Sequence, residues 1–444
     1  MNNTGDPRRI EASPTKEFFI FMLTRDIPLI RAIVDLVDNC IDGARRLKKN
    51  GNYNGLWVRI NLNKSIFQIS DNCGGIPVDT ARNYAFRFGR PKEMPKTEHS
   101  VGQFGIGMKR SIFKLGNKFK IISTTDNSKF SVEEDVEKWK ELGNWEFHFK
   151  ELKENLTDIS ADKIGTIITI TSLHESVVNN FELANFRTSL ANEIAAAHQI
   201  SLDKGISISF NGLPLKMQPL LLLSSDKLNP VRWEHIYEES SESPINVAIY
   251  AGISDSNPTE AGWNIYCNGR LLLEHDQERI TGWGESQDKA IPKFHNQYAR
   301  FRGFVFFDSN DAEKLPWNTS KTGVDTDSAI FKAVRMEMIN IMRPIIDFLN
   351  SLDREKDQDG SEKKPLEELI QSSIMTLISE VNKSETFNWP KEMPKIEKGI
   401  KMNNIQYQKP VSEVNKVKKV LKATSLKEVG EKTFEYFFNS ECEE

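Results

Sequence analysis

The chain has 444 residues, 38% hydrophobic and 27% charged, with a formal net charge of -4. That length is too great for one core and implies two or three domains. The charge excludes a wholly basic nucleic-acid binder and leaves room for a local basic groove. The four cysteines, Cys40, Cys73, Cys267 and Cys442, are scattered without a CxxC pair, so neither a zinc site nor a disulfide framework is indicated. The opening "MNNTGDPRRIEASPTKE" is polar, "FFIFML" is too short for a signal region and runs on to Arg25, and "PLLLL" is far too short to span a bilayer. The expectation is a soluble protein of a reducing cytoplasm, with no membrane partner.

The first element is "LIRAIVDLVDNCIDGARRLKKN". Ile33, Val37, Ile41 and Ala44 make an apolar stripe at helical spacing, while Asp35, Asn39 and Asp42 share another face. Asp and Asn are poor helix-interior residues. A solvated acidic face is the bland explanation. Against it, Leu36, Val37, Cys40 and Ile41 surround the polar residues on nearly all sides, and buried polar groups need a partner. A magnesium ion carrying phosphates is one such partner.

Next, "SIFQIS" alternates like a strand and runs into Asp71 and the turn Gly74-Gly75-Ile76-Pro77. The turn lets backbone approach a ligand closely. An Asp at that strand end can accept a hydrogen bond from an amino group such as that of adenine, or it can simply cap the turn. In "SVGQFGIGMKRSIFKLG", Gly102, Gly105 and Gly107 spell G-x-x-G-x-G and lead into a helix. A glycine-rich loop at a helix N-terminus offers N–H groups and a positive dipole end to phosphate. The spacing is neither the dinucleotide fingerprint nor the P-loop.

Taken in order, these three motifs resemble the GHKL ATPase superfamily, which includes the gyrase B subunit, heat-shock chaperones, MutL, histidine kinases and MORC proteins. A fourth element, "KIGTIITITSL" with Gly165-Thr166 before a strand, resembles that family's last nucleotide motif. The resemblance spans roughly residues 17–175 and implies a Bergerat-type α/β sandwich that binds ATP and Mg2+. By resemblance, Asn39 would coordinate magnesium, Asp71 would read the adenine amino group, Gly75 and Ile76 would border the base, and Thr166 would support Asp71. Gly102, Gln103, Phe104, Gly105, Ile106, Gly107, Met108 and Lys109 would cradle phosphate at the end of a lid, "AFRFGRPKEMPKTEHSVGQFGIG". Asp42 and Asp38 would be helpers, and Arg87, Arg90 and Lys109 would be phosphate or lid contacts or solvated charges. Where many of these ATPases carry a catalytic Glu, this chain has Asp35, shorter by about 1.5 Å. A misplacement of about 1 Å can cost roughly a hundredfold, and general-base help is worth about 10²–10⁴-fold. Slow hydrolysis is the expectation. Cys73, where a Gly often stands, is a minor departure.

Beyond the helical "FELANFRTSLANEIAAAHQI" come strand-like segments at "ISISFNGLPL", "INVAIYAGIS", "GWNIYCNGRLLLE" and "RFRGFVFFDS", then the helix "SAIFKAVRMEMINIMRPIIDFLNSL". This α+β arrangement resembles the ribosomal-protein-like transducer domain of gyrase B, MutL and MORC. Lys321 in "NTSKTGVD" would be the lysine that reaches the terminal phosphate. Asn268 and Arg270 in "YCNGRLL" read as a structural turn. Within the superfamily, the lid entry, "VGQFGIGMKRSIFKLG" and the "CNGRLLL" strand look most like MORC, chiefly its bacterial relatives.

"DREKDQDGSEKK" reads as a linker, and "PLEELIQSSIMTLISEVNK" as a helix. Residues 391–422 hold nine Lys and three Glu, a basic excess that suits nucleic acid, an acidic partner or plain solvation. "VSEVNKVKKVL" and "SLKEVGEKTFEYFFNS" read as amphipathic helices, the second with capping-box spacing at Ser425 and Glu428 and with Val429, Phe434, Phe437 and Phe438 to bury. The domains are therefore expected at 1–177 (ATP-binding), 178–351 (transducer), 352–385 (charged linker and helix) and 386–444 (helical C-terminal segment). The implied activity is a slow ATPase acting as a nucleotide-dependent homodimeric clamp, on DNA or on an effector from a neighbouring gene, as in antiphage defence. The rivals are a nucleotide-gated scaffold with little turnover and a chaperone-like clamp.

Overall fold

The computed structural model describes residues 10, 12–89, 101, 106–285, 291–318, 321–356, 364–390 and 405–442. The chain divides into two compact units, Met1–Lys391 and Glu392–Glu444.

The first unit opens with α1 (Lys16–Arg25), whose N-cap Thr15 accepts the Phe18 amide at 3.2 Å, and α2 (Leu29–Leu47). A hairpin of β1 (Trp57–Leu62) and β2 (Ile66–Asp71) follows. The chain then runs through the short α3 (Val78–Thr80) to α4 (Gly107–Leu115), β3 (Gly116–Thr124), β4 (Lys129–Asp135), α5 (Val136–Glu141), β5 (Phe149–Lys153) and β6 (Gly165–Leu173). After α6 (Glu175–Glu182), α7 (Ala184–Ala197) and α8 (Gln199–Asp203), β7 (Ser207–Phe210) and β8 (Leu213–Pro214) complete an eight-stranded sheet. Its order is β5-β4-β3-β6-β2-β1-β7-β8, antiparallel except where β7 runs parallel to β1. The segment around Ser207–Phe210, read from sequence as part of the second strand group, thus adds to the edge of the first sheet.

Strand alternation decides which face is buried. Val58, Ile60 and Leu62 of β1 and Phe67, Ile69 and Asp71 of β2 point inward. They meet Ile33, Val34, Val37 and Ile41 of α2 and Ile112, Phe113 and Leu115 of α4 in one apolar core. From Ala32 to Ala44, α2 is buried at every position but Asn39. Its Asp residues therefore lie inside the protein, so the solvated-face explanation of this helix fails.

A two-stranded ribbon pairs β9 (Leu221–Ser224) with a later strand. The main second sheet contains β10 (Val231–Tyr237), β11 (Ile245–Ile253), β12 (Gly262–Cys267), β13 (Arg270–Asp276) and β14 (Phe301–Asp308) in the order β10-β11-β14-β12-β13. Against β11 lies α9 (Ala329–Lys356), whose buried Phe331, Val334, Met338, Ile341, Met342 and Ile345 repeat at helical spacing. Glu355 caps α10 (Pro365–Ser372), its two carboxylate oxygens each accepting a backbone amide at 3.0 Å, from Leu366 and Glu367. The helix read from "PLEELIQSSIMTLISEVNK" stops at Ser372, and β15 (Ile374–Leu377) pairs with β9 instead. Local propensity is weak across Ser-Ser-Ile-Met-Thr, and the free edge of Leu221–Ser224 wins.

In the second unit, α11 (Val411–Leu421) ends at Lys422, which adopts a left-handed φ of 49°, and α12 (Leu426–Glu441) follows. Ser425 Oγ accepts the Glu428 amide at 3.1 Å, and Glu428 in return accepts the Thr424 amide at 2.6 Å. Of the apolar residues expected to bury on α12, Val429 does so, while Phe434, Phe437 and Phe438 stay exposed. Among the described residues, no helix is long and apolar enough to cross a membrane.

Candidate functional site

The polar positions of α2 meet three different surroundings. Asp35 Oδ2 pairs with Arg110 Nη2 of α4 at 2.5 Å. Asn39 donates its amide nitrogen to the Asp35 carbonyl at 3.0 Å, which turns its amide oxygen the other way. Asp42 Oδ1 accepts the Val101 amide at 2.8 Å and pairs with Arg45 at 3.2 Å. A Cβ built on Gly107 would lie 3.7 Å from Asp35 Oδ2, so the first turn of α4 stands directly over this carboxylate. Ile106, at the N-cap of α4, provides no side-chain cap.

A second polar group forms where β2, β3 and β6 meet. Asp71 lies opposite Thr166 in the β2–β6 register, and its Oδ1 accepts the Cys73 amide at 2.8 Å. Burial raises the Asp71 pKa, opposed by hydrogen bonds that include the Cys73 amide. Thr166 Oγ1 and Ser123 Oγ lie 3.2 Å apart, and Ser123 Oγ accepts the Ile76 amide at 2.7 Å. This chain of bonds pins the glycine turn to β3. Gly75 has φ 70°, and a Cβ there would sit 2.2 Å from the Thr124 carbonyl oxygen, so only glycine fits. Gly165 is equally constrained, since its Cβ would fall 1.8 Å from the Asp71 carbonyl oxygen. The nearby Cys40 and Cys73 thiols have pKa values pushed up, chiefly by burial.

The third group is centred on Asp38, which is fully buried. Its Oδ2 accepts Lys321 Nζ at 2.9 Å, and its Oδ1 lies 3.0 Å from Arg270 Nε and 3.5 Å from His198 Nε2. Burial alone would raise the Asp38 pKa, but the neighbouring Lys321, Arg270 and His198 hold it well below the usual carboxylate range. Burial opposes the Lys321 charge, yet the carboxylates of Asp38, Asp35 and Asp42 keep its pKa raised. Burial lowers the His198 pKa to about 3, so its imidazole is neutral at pH 7.

The residues on either side of the 90–105 segment are tied to the core. Phe88 packs on Phe113, Trp139, Trp145 and Phe147 with ring centroids 5.6–6.3 Å away. Lys109 is buried, and its Nζ donates to the Ala85 carbonyl at 2.9 Å. Burial lowers its pKa to about 7. Lys109 thus joins the segment around Ala85 to α4. Met108 and Ile106 are half-buried, and Met108 packs on the core. Gly102, Gln103, Phe104 and Gly105, with Arg90, lie outside the described residues.

The sequence reading therefore named members of each group. It missed Arg110 and Ser123, treated Asp38 as a helper and Arg270 as a turn residue, and gave His198 no role. Arg110 carried one signal: it follows Gly107 by three positions, one helical turn into α4. His198 carried none.

Residues 27–166 match the family model described as "Histidine kinase-, DNA gyrase B-, and HSP90-like ATPase". That match supports a GHKL-type ATPase domain in this part of the chain, with the ATP binding such a domain suggests. The mixed α+β architecture, sheet-rich over the matched span, fits it. No curated protein matches the chain.

Proposed function

We propose that the first unit binds MgATP between α2, the lid and the β2–β6 junction, and hydrolyses it slowly. The carrying observation is the meeting of the Gly107 end of α4 with Asp35, one turn from Asn39 on α2. A helix N-terminus favours phosphate, an amide oxygen can ligate magnesium, and a carboxylate can take a proton from water. In this reading Asp71 accepts from the adenine amino group, with Thr166, Gly75 and Ile76 bordering the base. Asn39 Oδ1 is a magnesium ligand, a role that suits an ion held largely by phosphates and water. Gly102 to Lys109 form the phosphate end of the lid, Lys321 serves the terminal phosphate, and Asp35 activates water.

Residues 178–351 act as a transducer in this proposal, and nucleotide closes two copies into a clamp of the bacterial MORC-like kind. DNA, or an effector from a neighbouring gene, is the proposed client. The basic stretch at 391–422 supports the choice of an anionic one. Calorimetry with MgATP on wild type and Asp71→Ala tests the first step: binding is expected in wild type and strongly weakened in the variant. Absence of wild-type binding at millimolar ATP refutes the proposal.

One observation favours a second reading. Asp35 is held by Arg110 and is only 3% exposed. A carboxylate so engaged suits a nucleotide-gated scaffold that binds ATP with little turnover. Tight binding with phosphate release at background would decide for it.

A further inference from the structure

The buried groups around α2 pair unevenly. Asp35 pairs with Arg110, Asp42 with Arg45, and Glu193 with Arg31. Among the described residues around α2, Asp38 is shared by two cations, Lys321 and Arg270, while burial keeps His198 neutral. All three side chains of this shared set are at least nine-tenths buried. The set therefore carries one positive charge more than negative in a place where charge is costly without a partner. Arg270 Nη1 donates to the Leu271 carbonyl at 3.1 Å, and among the described residues its buried Nε and Nη2, like Asp38 Oδ1, have no hydrogen-bond partner, so Arg270 meets Asp38 as an ion pair by proximity.

Lys321 is also the member best placed to move. It sits in a loop closed by the Trp317–Val324 bridge, with its amide bonded to the Asn318 carbonyl at 3.0 Å. Its φ of 53° is left-handed, a conformation strained for a non-glycine residue. If the ammonium leaves Asp38, Arg270 remains 3.0 Å from that carboxylate, so no buried anion is stranded.

We propose that Asp38 and Arg270 form a parking site for Lys321, and so set how strongly the nucleotide site prefers a triphosphate over a diphosphate. Asp38 competes with a terminal phosphate for one ammonium group. Arg270 makes the exchange possible by keeping Asp38 paired after Lys321 departs. The inference rests on the ATP-binding reading above and adds two specificity-determining residues that the reading does not use.

The test is calorimetry on the full chain with Mg2+ and either ADP or a non-hydrolysable ATP analogue, with thermal melts to show each variant folds. Asp38→Asn keeps shape and removes the competing charge. It is expected to raise affinity for the ATP analogue by at least about fivefold, the low end of coupling between sites, and to leave ADP binding unchanged. Lys321→Met is expected to erase the preference for the analogue and, in the double variant, to erase the gain from Asp38→Asn. Arg270→Gln leaves Asp38 and Lys321 a neutral pair, so it tests the idea even if Asp38→Asn does not fold. It is expected to weaken analogue binding and spare ADP.

A loss of analogue affinity in Asp38→Asn equal to that in Lys321→Met overturns the proposal, because Asp38 then aims the lysine and does not hold it back. Unchanged analogue affinity in Arg270→Gln overturns it as well. If wild type binds neither nucleotide, both this inference and the ATP reading fall. If it binds both and Lys321→Met leaves the preference intact, this inference falls together with the terminal-phosphate role of Lys321, while ATP binding itself stands.

Discussion

Replacing Asp35 separates the proposed chemistry from the packing around it. Asp35 and Arg110 are 3% and 11% exposed and pair at 2.5 Å, so Asp35→Ala leaves a guanidinium nearly buried without its partner. Breaking one side of a buried pair costs about 3–5 kcal/mol. The lower end applies here because Arg110 keeps some contact with solvent. Asp35→Asn keeps the shape and a hydrogen-bond acceptor for Arg110, and should lose less stability. Its turnover should still fall by about 10²–10⁴-fold, the usual worth of a general base, or roughly 3–5 kcal/mol of barrier. Affinity for a non-hydrolysable analogue should stay within a few-fold of wild type. Arg110→Gln releases the carboxylate and should raise turnover while lowering stability. Steady-state phosphate release, read beside urea melts and analogue titrations of the same proteins, measures all three effects. Wild-type turnover in Asp35→Asn would falsify the base assignment. Loss of turnover in Arg110→Gln would show that the pair assists the chemistry and does not restrain it.

Three other outcomes are expected. Gly75→Ala should abolish nucleotide binding or folding, because its Cβ meets the Thr124 carbonyl oxygen at 2.2 Å and φ is 70°; an ordinary melt and titration would argue against a turn clamped to β3. Asp71→Ala should weaken ATP by about 10- to 150-fold, since a hydrogen bond to a charged group is worth about 1.5–3 kcal/mol, and competition with GTP should show the preference for adenine shrinking. Lys109 gives a pH signature: its native pKa of about 7 lies below the ordinary lysine value of 10.5, so between these values the unfolded chain holds a proton that the native state has lost. Stability should therefore rise with pH across that window, by at most about 1.4 kcal/mol per unit. Urea melts at pH 7 and pH 9 should show the rise in wild type and its absence in Lys109→Met.

How far the sequence disclosed this molecule depended on the range of each interaction. The burial of α2 was legible because Ile33, Val37 and Ile41 recur at helical spacing and apolar residues flank the carboxylates. Asp71 and the Gly74-Gly75 turn were legible because a strand end and its turn residues are consecutive. The end of α10 was not, because Ile374–Leu377 takes its structure from pairing with Leu221–Ser224, about 150 residues earlier in the chain. The Asp38 group was the least legible. Its members come from α2, the α7–α8 junction, the first residue of β13 and a loop before α9, and no local pattern connects His198 or Arg270 to Asp38.

That distance in sequence gives the Asp38 group its interest. A helper on α2 that touched only its own helix would affect local shape alone. Asp38 instead spends its charge on two residues from the second strand group, so occupancy near α2 and the placement of the Lys321 loop share one carboxylate. Two sites are energetically coupled when a single element takes different partners in the two states. Under the parking-site proposal, a terminal phosphate that draws Lys321 away would change what Arg270 and the start of β13 must balance, and the second sheet would then sense the nucleotide through an exchange of ion pairs. On this argument the coupling disappears when Arg270 can no longer hold Asp38 alone, even with every residue next to the nucleotide left intact.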